Sequence, residues 1–249
     1  MPRYRLTLEY DGTPFRGWQS QAGLPSVQAA VEAAVLRSTG ETATVTAAGR
    51  TDAGVHALGQ VAHLDLARTW APERLAGALN QHLKPWPVAV LDARRMPDDF
   101  HARFSAVRRA YVYRILNRRA PPALGRDRCW HLPVRLEHEH MHEAAQALVG
   151  RHDFTSFRSS ECQAPSPVKT LDLVHVRRSG EGVIEVRLGA RSFLHHQVRN
   201  IVGTLKLVGE GKVGTGHLRE VLAARDRGAA GATAPAAGLF LASVRYGGR

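Results

Sequence analysis

The sequence predicts an α+β fold of two ferredoxin-like halves, each β-α-β-β-α-β, joined into a mostly antiparallel sheet with helices packed on it and a central active-site cleft. Three observations support this prediction. Apolar residues alternate or recur at helical spacing in the same order twice, and turn residues and helix caps separate the segments. The 249 residues, 44% of them hydrophobic, suffice for two small cores. We predict that the halves comprise residues 1–104 and 105–249.

The first half contains the six elements of one such unit. Ser26 is a typical N-cap, and Gly40 is a typical C-terminal stop, so a helix is predicted between them. In chain order, the predicted elements are a strand over 5–10, this helix, strands over 42–47 and 59–66, a helix around 75–79 and a strand over 88–91.

The second half repeats this order. Its predicted elements are a strand over 105–116, a helix from 141 to Gly150, strands over 171–176 and 183–188, a helix over 194–208, a short helix over 217–224 and a strand over 239–246.

Positive charge exceeds negative charge along the chain. Lys and Arg number 34 against 22 Asp and Glu, which gives a net charge of +12. Codon bias can favour arginine over lysine, but it does not require an excess of cations, so a polyanionic partner is favoured. Ten arginines between residues 94 and 128 are interleaved with aromatic residues, which predicts a folded basic surface rather than a disordered tail. They are Arg94, Arg95, Arg103, Arg108, Arg109, Arg114, Arg118, Arg119, Arg126 and Arg128.

Composition also predicts a cytoplasmic protein without membrane association. Cys129 and Cys162 are too few for a disulfide scaffold. No apolar run approaches the roughly 20 residues that span a bilayer. The N-terminal residues lack the apolar stretch of a signal peptide.

One segment has the residue types of a catalytic loop. Residues 49–56 read Gly-Arg-Thr-Asp-Ala-Gly-Val-His, in which Gly49 and Gly54 allow sharp turns. Arg50 and Asp52 would point the same way on an extended backbone. A carboxylate that a cation holds ionised can act as a nucleophile or a general base.

A structural turn is the alternative, because Gly-x-x-Asp-x-Gly occurs more often in turns than in catalytic loops. A phosphate loop is excluded, since Val55 and His56 stand where Lys and Ser or Thr are required. The neighbouring His195 and His196 diverge by about 100° on a helix, which disfavours joint metal ligation. We expect no metal and no small-molecule cofactor.

The loop and its continuation, residues 49–63, resemble the signature of the tRNA pseudouridine synthase A family. Further segments match in the family's order. These are residues 10–21 (Tyr-Asp-Gly-Thr-Pro-Phe-Arg-Gly-Trp-Gln-Ser-Gln), 100–106 (Phe-His-Ala-Arg-Phe-Ser-Ala) with Tyr111-x-Tyr113, 150–158 (Gly-x-x-Asp-Phe-Thr-Ser-Phe-Arg) and 193–203 (Phe-Leu-His-His-Gln-Val-Arg-Asn-Ile-Val-Gly). The resemblance covers residues 4 to about 246. Lys84 departs from the family's Asn-x-x-Leu-Pro pattern, which is expected to alter a helix-to-strand turn.

The resemblance implies an isomerase that converts uridine to pseudouridine at positions 38, 39 and 40 of the tRNA anticodon stem-loop. It implies that Asp52 is the essential carboxylate and Arg199 its ion-pair partner. Tyr111 would pack on the target base. Arg50 would occupy the space that the base leaves, or bind phosphate. Attack of Asp52 on the base, attack on C1′ and removal of a sugar proton all stay open.

The resemblance also implies that tRNA is the partner and that the protein is a homodimer. Two other functions compete. A non-catalytic RNA-binding protein would suit the charge and the topology, but the RNP aromatic pattern of RRM domains is missing from the sequence. A nucleoside hydrolase or base glycosylase would use Asp52 to cleave the same bond and would release free uracil.

Overall fold

A computed structural model describes residues 1–180 and 182–247. In chain order, its strands and α-helices are β1 (Arg3–Tyr10), α1 (Val27–Thr39), β2 (Thr46–Ala47), β3 (His56–Asp65), α2 (Pro72–Leu83), β4 (Val88–Met96), β5 (Ala106–Leu116), β6 (Trp130–His131), α3 (His138–Ala145), β7 (Gly150–Asp153), β8 (Val168–Arg178), β9 (Val183–Ala190), α4 (Gln197–Gly209), α5 (His217–Ala224) and β10 (Leu239–Tyr246). Most strand pairs are antiparallel, so the predicted α+β class is confirmed.

The chain forms two compact units. Unit 1 is Met1–Val107 together with the segment that begins at Phe240, and unit 2 is Arg108–Leu239. Residues 105–107 and the last strand from Phe240 onward, predicted in the second half, group with unit 1.

Unit 1 has the strand order β4-β1-β3-β10, and β2 also pairs with β3. β1 is antiparallel to both β3 and β4, whereas β10 runs parallel to β3 and pairs Phe240 with His56. The helices α1 and α2 pack against each other, and α2 packs on β4. The predicted order β-α-β-β-α-β is therefore present over residues 3–96, followed at the end of the chain by β10.

Local chemistry explains the bounds of these elements. Ser26 Oγ accepts the Ala29 N–H at 3.2 Å and starts α1, and Gly40, with φ of 74°, ends it. The strand predicted over 42–47 shrinks to two residues. Upstream of it, the Val45 N–H donates to the Glu32 carboxylate at 3.0 Å instead of to a neighbouring strand. After α2, the peptide bond between Lys84 and Pro85 is cis.

Unit 2 has the strand order β5-β9-β8-β7, and β6 pairs with the end of β5. β5 and β9 are antiparallel, with Tyr111 opposite Leu188 and Tyr113 opposite Val186. The helices α3, α4 and α5 pack against one another, and α3 also packs on β8. The short strands β6 and β7 were not predicted, because two and four residues are too few to show a period.

The arginine-rich stretch is folded, as predicted, and extends over β4, β5 and the loops beside them. Of its ten arginines only Arg109 is buried, so the other nine reach solvent in part or fully. In the described residues, no helix is long and apolar enough to cross a membrane.

Candidate active site

Residues 49–55, here called the Asp loop, connect β2 to β3 in unit 1. Burial alternates along the loop: Arg50 is exposed, Thr51 is buried and Asp52 is half-buried. The loop then turns, since the Val55 N–H donates to the Asp52 carbonyl at 3.1 Å and Gly54 has a φ of 74°. Arg50 and Asp52 therefore lie on the more open side of the loop, and Thr51 lies on its core side.

A buried hydrogen-bond chain holds the core side. Gln60 Nε2 donates to the Gly49 carbonyl at 2.7 Å and to the Tyr10 hydroxyl at 3.4 Å. The Tyr10 hydroxyl is also hydrogen-bonded to Thr51 Oγ1, 2.8 Å away. Burial raises the pKa of Tyr10 to about 12, although the hydrogen bonds from Thr51 and Gln60 oppose that shift. The phenol is therefore protonated at neutral pH, and it fixes the residue directly before Asp52.

Residues 10–21, here called the clamp segment, hold the backbone of the Asp loop. The Trp18 N–H donates to the Thr51 carbonyl at 3.0 Å, and the Gly54 N–H donates to the Phe15 carbonyl at 3.3 Å. Trp18 itself is only 2% exposed. These two bonds lie on either side of Asp52, so they fix the backbone before and after it.

Two glycines of the clamp segment allow this close approach. A Cβ atom on Gly17 would lie 2.6 Å from the Thr51 carbonyl oxygen, and one on Gly12 would overlap the Val55 carbonyl oxygen. Gly17 also has a φ of 95°, a region that L side chains rarely adopt. Glycine is therefore required at both positions by the path of the Asp loop.

His56 supports the end of the loop where β3 begins. Its Nδ1 accepts the Gly12 N–H at 3.0 Å, so the ring joins the clamp segment to β3. The ring also stacks on Phe240 of β10, with centroids 4.7 Å apart and planes at 23°. The last strand of the chain thereby supports the loop that carries Asp52.

The other two predicted site residues lie in unit 2. Tyr111 is half-buried on β5, and the ring of Phe193 meets it edge-on at a centroid distance of 5.1 Å. Tyr113 is fully buried, and its hydroxyl donates to the Pro235 carbonyl at 2.8 Å. Burial raises the pKa of Tyr113 well above its ordinary value, while the positive charge of Arg199 works against that shift.

Arg199 lies in the first turn of α4, and the neighbouring loop sets its direction. Its Nε donates to the Ala234 carbonyl at 2.8 Å, and the Ala234 N–H donates back to the Arg199 carbonyl at 3.2 Å. This reciprocal pair fixes both the backbone and the guanidinium group of Arg199 against residues 226–235.

That loop is in turn held by Arg227. The Arg227 guanidinium donates to the Gly231 carbonyl at 3.0 Å, to Asn200 Oδ1 at 3.2 Å and to Thr233 Oγ1 at 3.1 Å. Thr233 Oγ1 donates to the same Asn200 oxygen at 2.7 Å. Asn200 follows Arg199 on α4, so Arg227 joins the loop to the helix beside the predicted site residue.

The structure thus places Arg50 and Asp52 together in the Asp loop, and Tyr111 and Arg199 in unit 2. The residues that support the Asp loop and Arg199 were not among the predicted site residues. Tyr10 and Gln60 lie inside segments that resemble the family, which was a usable signal. Arg227 lies outside every such segment, and nothing in its sequence context marks it.

A family model described as tRNA pseudouridine synthase matches residues 7–105 and 144–247 of this chain. The chain belongs to the tRNA pseudouridine synthase family. The members of this family are isomerases that convert uridine to pseudouridine. The match includes the Asp loop and Arg199, whereas Tyr111 lies between its two matched stretches.

Curated relatives named tRNA pseudouridine synthase A are similar over nearly the whole chain. The protein of Rhodospirillum centenum is 61% identical over 248 residues, which are 99% of this chain and 100% of the relative. The protein of Paramagnetospirillum magneticum is 60% identical and that of Azorhizobium caulinodans is 59% identical. Those alignments cover 99% of this chain and 96% and 95% of the two relatives.

Proposed function

We propose that this chain converts uridine to pseudouridine at positions 38, 39 and 40 of the tRNA anticodon stem-loop, with Asp52 as the essential carboxylate. The observation that carries the proposal is the fixed geometry of the Asp loop. The buried chain of Tyr10 and Gln60 holds its core side, and the clamp segment holds its backbone before and after Asp52. Two independent sets of contacts thus hold the residues on either side of one half-buried carboxylate.

The reaction needs one well-placed carboxylate rather than a consumable reactant. The N1–C1′ bond of uridine breaks and a C1′–C5 bond forms, while C5 loses a proton and N1 gains one, so atoms balance without a co-substrate. A carboxylate can assist by attacking C1′, by attacking the base or by removing a sugar proton. In each case it must be ionised and held in the reacting geometry. The support of the Asp loop supplies the second requirement.

Three further residues are assigned roles by resemblance to the family. Arg199 is assigned as the ion-pair partner of Asp52, and its Nε contact with Ala234 fixes the direction of the guanidinium group. Tyr111 packs on the target base, with Phe193 behind its ring. Arg50 is exposed at the edge of the Asp loop and occupies the space from which the base is withdrawn.

We also propose that the protein acts as a homodimer in the cytoplasm. Resemblance to the family supports the dimer, and tRNA as substrate supports the compartment. Light scattering at micromolar concentration tests the dimer directly, and a monomer mass in the presence and absence of tRNA would contradict it.

The decisive experiment compares the wild-type chain with Asp52→Asn on tRNA from a strain that lacks the gene. Tritium at C5 of uridine is released when pseudouridine forms, so its release measures turnover. We expect turnover by the wild type and none by Asp52→Asn, while tRNA affinity changes little, because affinity depends on many phosphate contacts. Asp99→Asn removes the same charge from an exposed position of unit 1 and should keep full turnover.

Each rival predicts a different result. Free uracil in the wild-type reaction would indicate a glycosylase, and tRNA retention without tritium release would indicate a non-catalytic RNA-binding protein. Normal turnover by Asp52→Asn would remove Asp52 from the mechanism. The target positions are tested with tRNAs in which uridines 38, 39 and 40 are replaced one at a time by cytidine. Each replacement should remove one pseudouridine, and modification elsewhere would contradict the proposed positions.

A further inference from the structure

A large aromatic side chain is exposed on unit 1. Phe104 exposes 71% of its surface. Trp86, which exposes 39%, is the other exposed Phe or Trp side chain among the described residues. Phe104 belongs to residues 100–106, a segment that resembles the family and to which neither the mechanism nor the clamp segment assigns a role. Single exposed hydrophobic residues are common, so the exposure needs a second feature before it indicates a site.

The second feature is a backbone held in one conformation. Residues 101–105, here called the aromatic turn, are closed by four hydrogen bonds. His101 Nδ1 accepts the N–H groups of Arg103 at 3.1 Å and Phe104 at 3.3 Å. Ser105 N–H donates to the His101 carbonyl at 2.9 Å, and the His101 N–H donates to Ser105 Oγ at 3.0 Å. The exposed ring is therefore presented by a fixed turn and not by a loose loop.

The imidazole of His101 both shapes the turn and supports the ring. It lies 4.3 Å from the Phe104 ring centroid with a tilt of 32°. Burial, together with the positive charges of Arg3 and Arg103, lowers the pKa of His101. The imidazole is therefore neutral at pH 7, and its Nδ1 stays available as the acceptor that closes the turn.

The base of the aromatic turn shares a hydrophobic cluster with the start of the Asp loop. Ala102 and Phe100 are buried in one cluster with Val61 and Ala48, and Ala48 directly precedes the Asp loop. The Tyr246 hydroxyl donates to the Ala102 carbonyl at 2.8 Å and anchors the turn further. The base of the aromatic turn thus packs against the residue that precedes the Asp loop, within the same unit.

The charge beside the ring indicates which partner it contacts. The guanidinium carbon of the exposed Arg103 lies 5.7 Å from the Phe104 ring centroid, and the whole chain has a net charge of +12. An aromatic face with an arginine at its side matches a nucleotide, whose base stacks while its phosphate binds the guanidinium.

From this arrangement we propose that Phe104 is a stacking site for one unpaired base of the tRNA substrate, and that Arg103 binds the phosphate attached to that base. The inference rests on the proposed function, because it takes tRNA as the ligand. It extends the substrate surface of unit 1 beyond the Asp loop to the aromatic turn.

The test measures tRNA affinity and turnover for a series at position 104. Phe104→Ala should weaken tRNA binding by about 5- to 150-fold, the range for loss of one base–aromatic stack. Phe104→Leu keeps a large apolar side chain without a π face and should resemble the alanine variant, whereas Phe104→Tyr should retain nearly wild-type affinity. Leu91→Ala, which removes another exposed apolar side chain of unit 1, is the control and should bind normally.

Two more variants test the mode of contact. Arg103→Ala should lower the slope of log affinity against log salt by about one, as expected for one lost phosphate contact. Phe104→Trp, made in the Asp52→Asn background to prevent turnover, should show tryptophan fluorescence that tRNA quenches more than in the parent variant.

The failures of the two proposals differ. A wild-type chain that does not modify tRNA contradicts the proposed function itself. If the wild type modifies tRNA but Phe104→Ala binds it equally well, stacking is wrong while the proposed function stands. Phe104→Ala could instead change the oligomeric state and leave the tRNA affinity per protomer unchanged. That result would assign the Phe104 ring to a contact between copies of the chain, and it would also contradict the stacking site.

Discussion

Gly17→Ala tests whether the clamp segment controls the position of Asp52. The new Cβ would lie 2.6 Å from the Thr51 carbonyl oxygen, whereas ordinary contact begins at 3.4 Å. The two backbones must therefore separate by about 0.8 Å directly before Asp52. A misplacement of about 1 Å at a reacting group can reduce the rate about 100-fold, so we expect kcat to fall by about 10- to 100-fold.

Gly23→Ala is the matched control for backbone strain. Gly23 also has a positive φ, at 72°, but a Cβ there meets nothing within 4 Å. Alanine in a left-handed conformation costs about 1–2 kcal/mol at either position. At about 2–4 °C per kcal/mol for a chain of this size, the control should lose about 2–8 °C in Tm, and Gly17→Ala at least as much.

The assay combines tritium release at saturating tRNA, filter binding for the Kd and thermal unfolding for Tm. If the clamp segment positions Asp52, kcat falls in Gly17→Ala and not in Gly23→Ala, and the tRNA affinity of both variants stays within about twofold of wild type. Equal kcat for the two folded variants would refute the reasoning, because the Thr51 carbonyl would then have no control over the carboxylate.

Three other perturbations have definite expected results. Tyr10→Phe should lower the free energy of unfolding in urea by about 1–3 kcal/mol, because its buried polar partners lose their hydrogen bond. An unchanged free energy of unfolding would contradict the buried hydrogen-bond chain. Arg227→Ala should reduce kcat more than tRNA affinity. In the double variant with Arg199→Lys, the loss of activation free energy calculated from kcat should be about 1 kcal/mol smaller than the sum of the two single losses. Full additivity would mean that the loop held by Arg227 does not act through Arg199. The hydrogen bond from Arg3 lowers the pKa of Asp65 in the folded protein. The pair therefore stabilises the fold at pH values above the pKa of the carboxyl in the unfolded chain. This stabilisation is lost as the pH falls through the lower pKa of the folded protein. The free energy of unfolding of Asp65→Asn should therefore be lower than that of the wild type at pH 7 and equal to it at about pH 2. A difference in the free energy of unfolding that persists in acid would contradict the ion pair.

The order and kind of the main elements could be predicted because their signals are local. Ser26 and Gly40 mark the ends of α1 through contacts within one turn of the chain, and the structure has both. Helix ends that are set by side-chain contacts and not by periodicity were predicted less accurately. The helix predicted from residue 194 begins at Gln197, because His196 adopts a left-handed conformation and the Gln197 side chain accepts the Leu194 N–H at 2.8 Å.

The candidate site shows the same limit. Asp52 could be singled out from the glycines around it and from the family resemblance, because both are properties of one short segment. The contact of Gly17 with the Thr51 carbonyl joins segments more than thirty residues apart, and no spacing rule gives it. The fixing of Arg199 by Arg227 depends on how one loop seats on α4, which is a matter of packing rather than pattern.

The last strand has a consequence for when the enzyme becomes active during synthesis. A chain emerges from the ribosome with its N-terminus first, so all of Arg108–Leu239 is available for folding before Phe240 appears. Phe240 stacks on His56, which bonds to Gly12 of the clamp segment. A nascent chain, or one truncated before β10, lacks this support at the end of the Asp loop. The Asp loop therefore receives this supporting contact only after all of unit 2 has been translated.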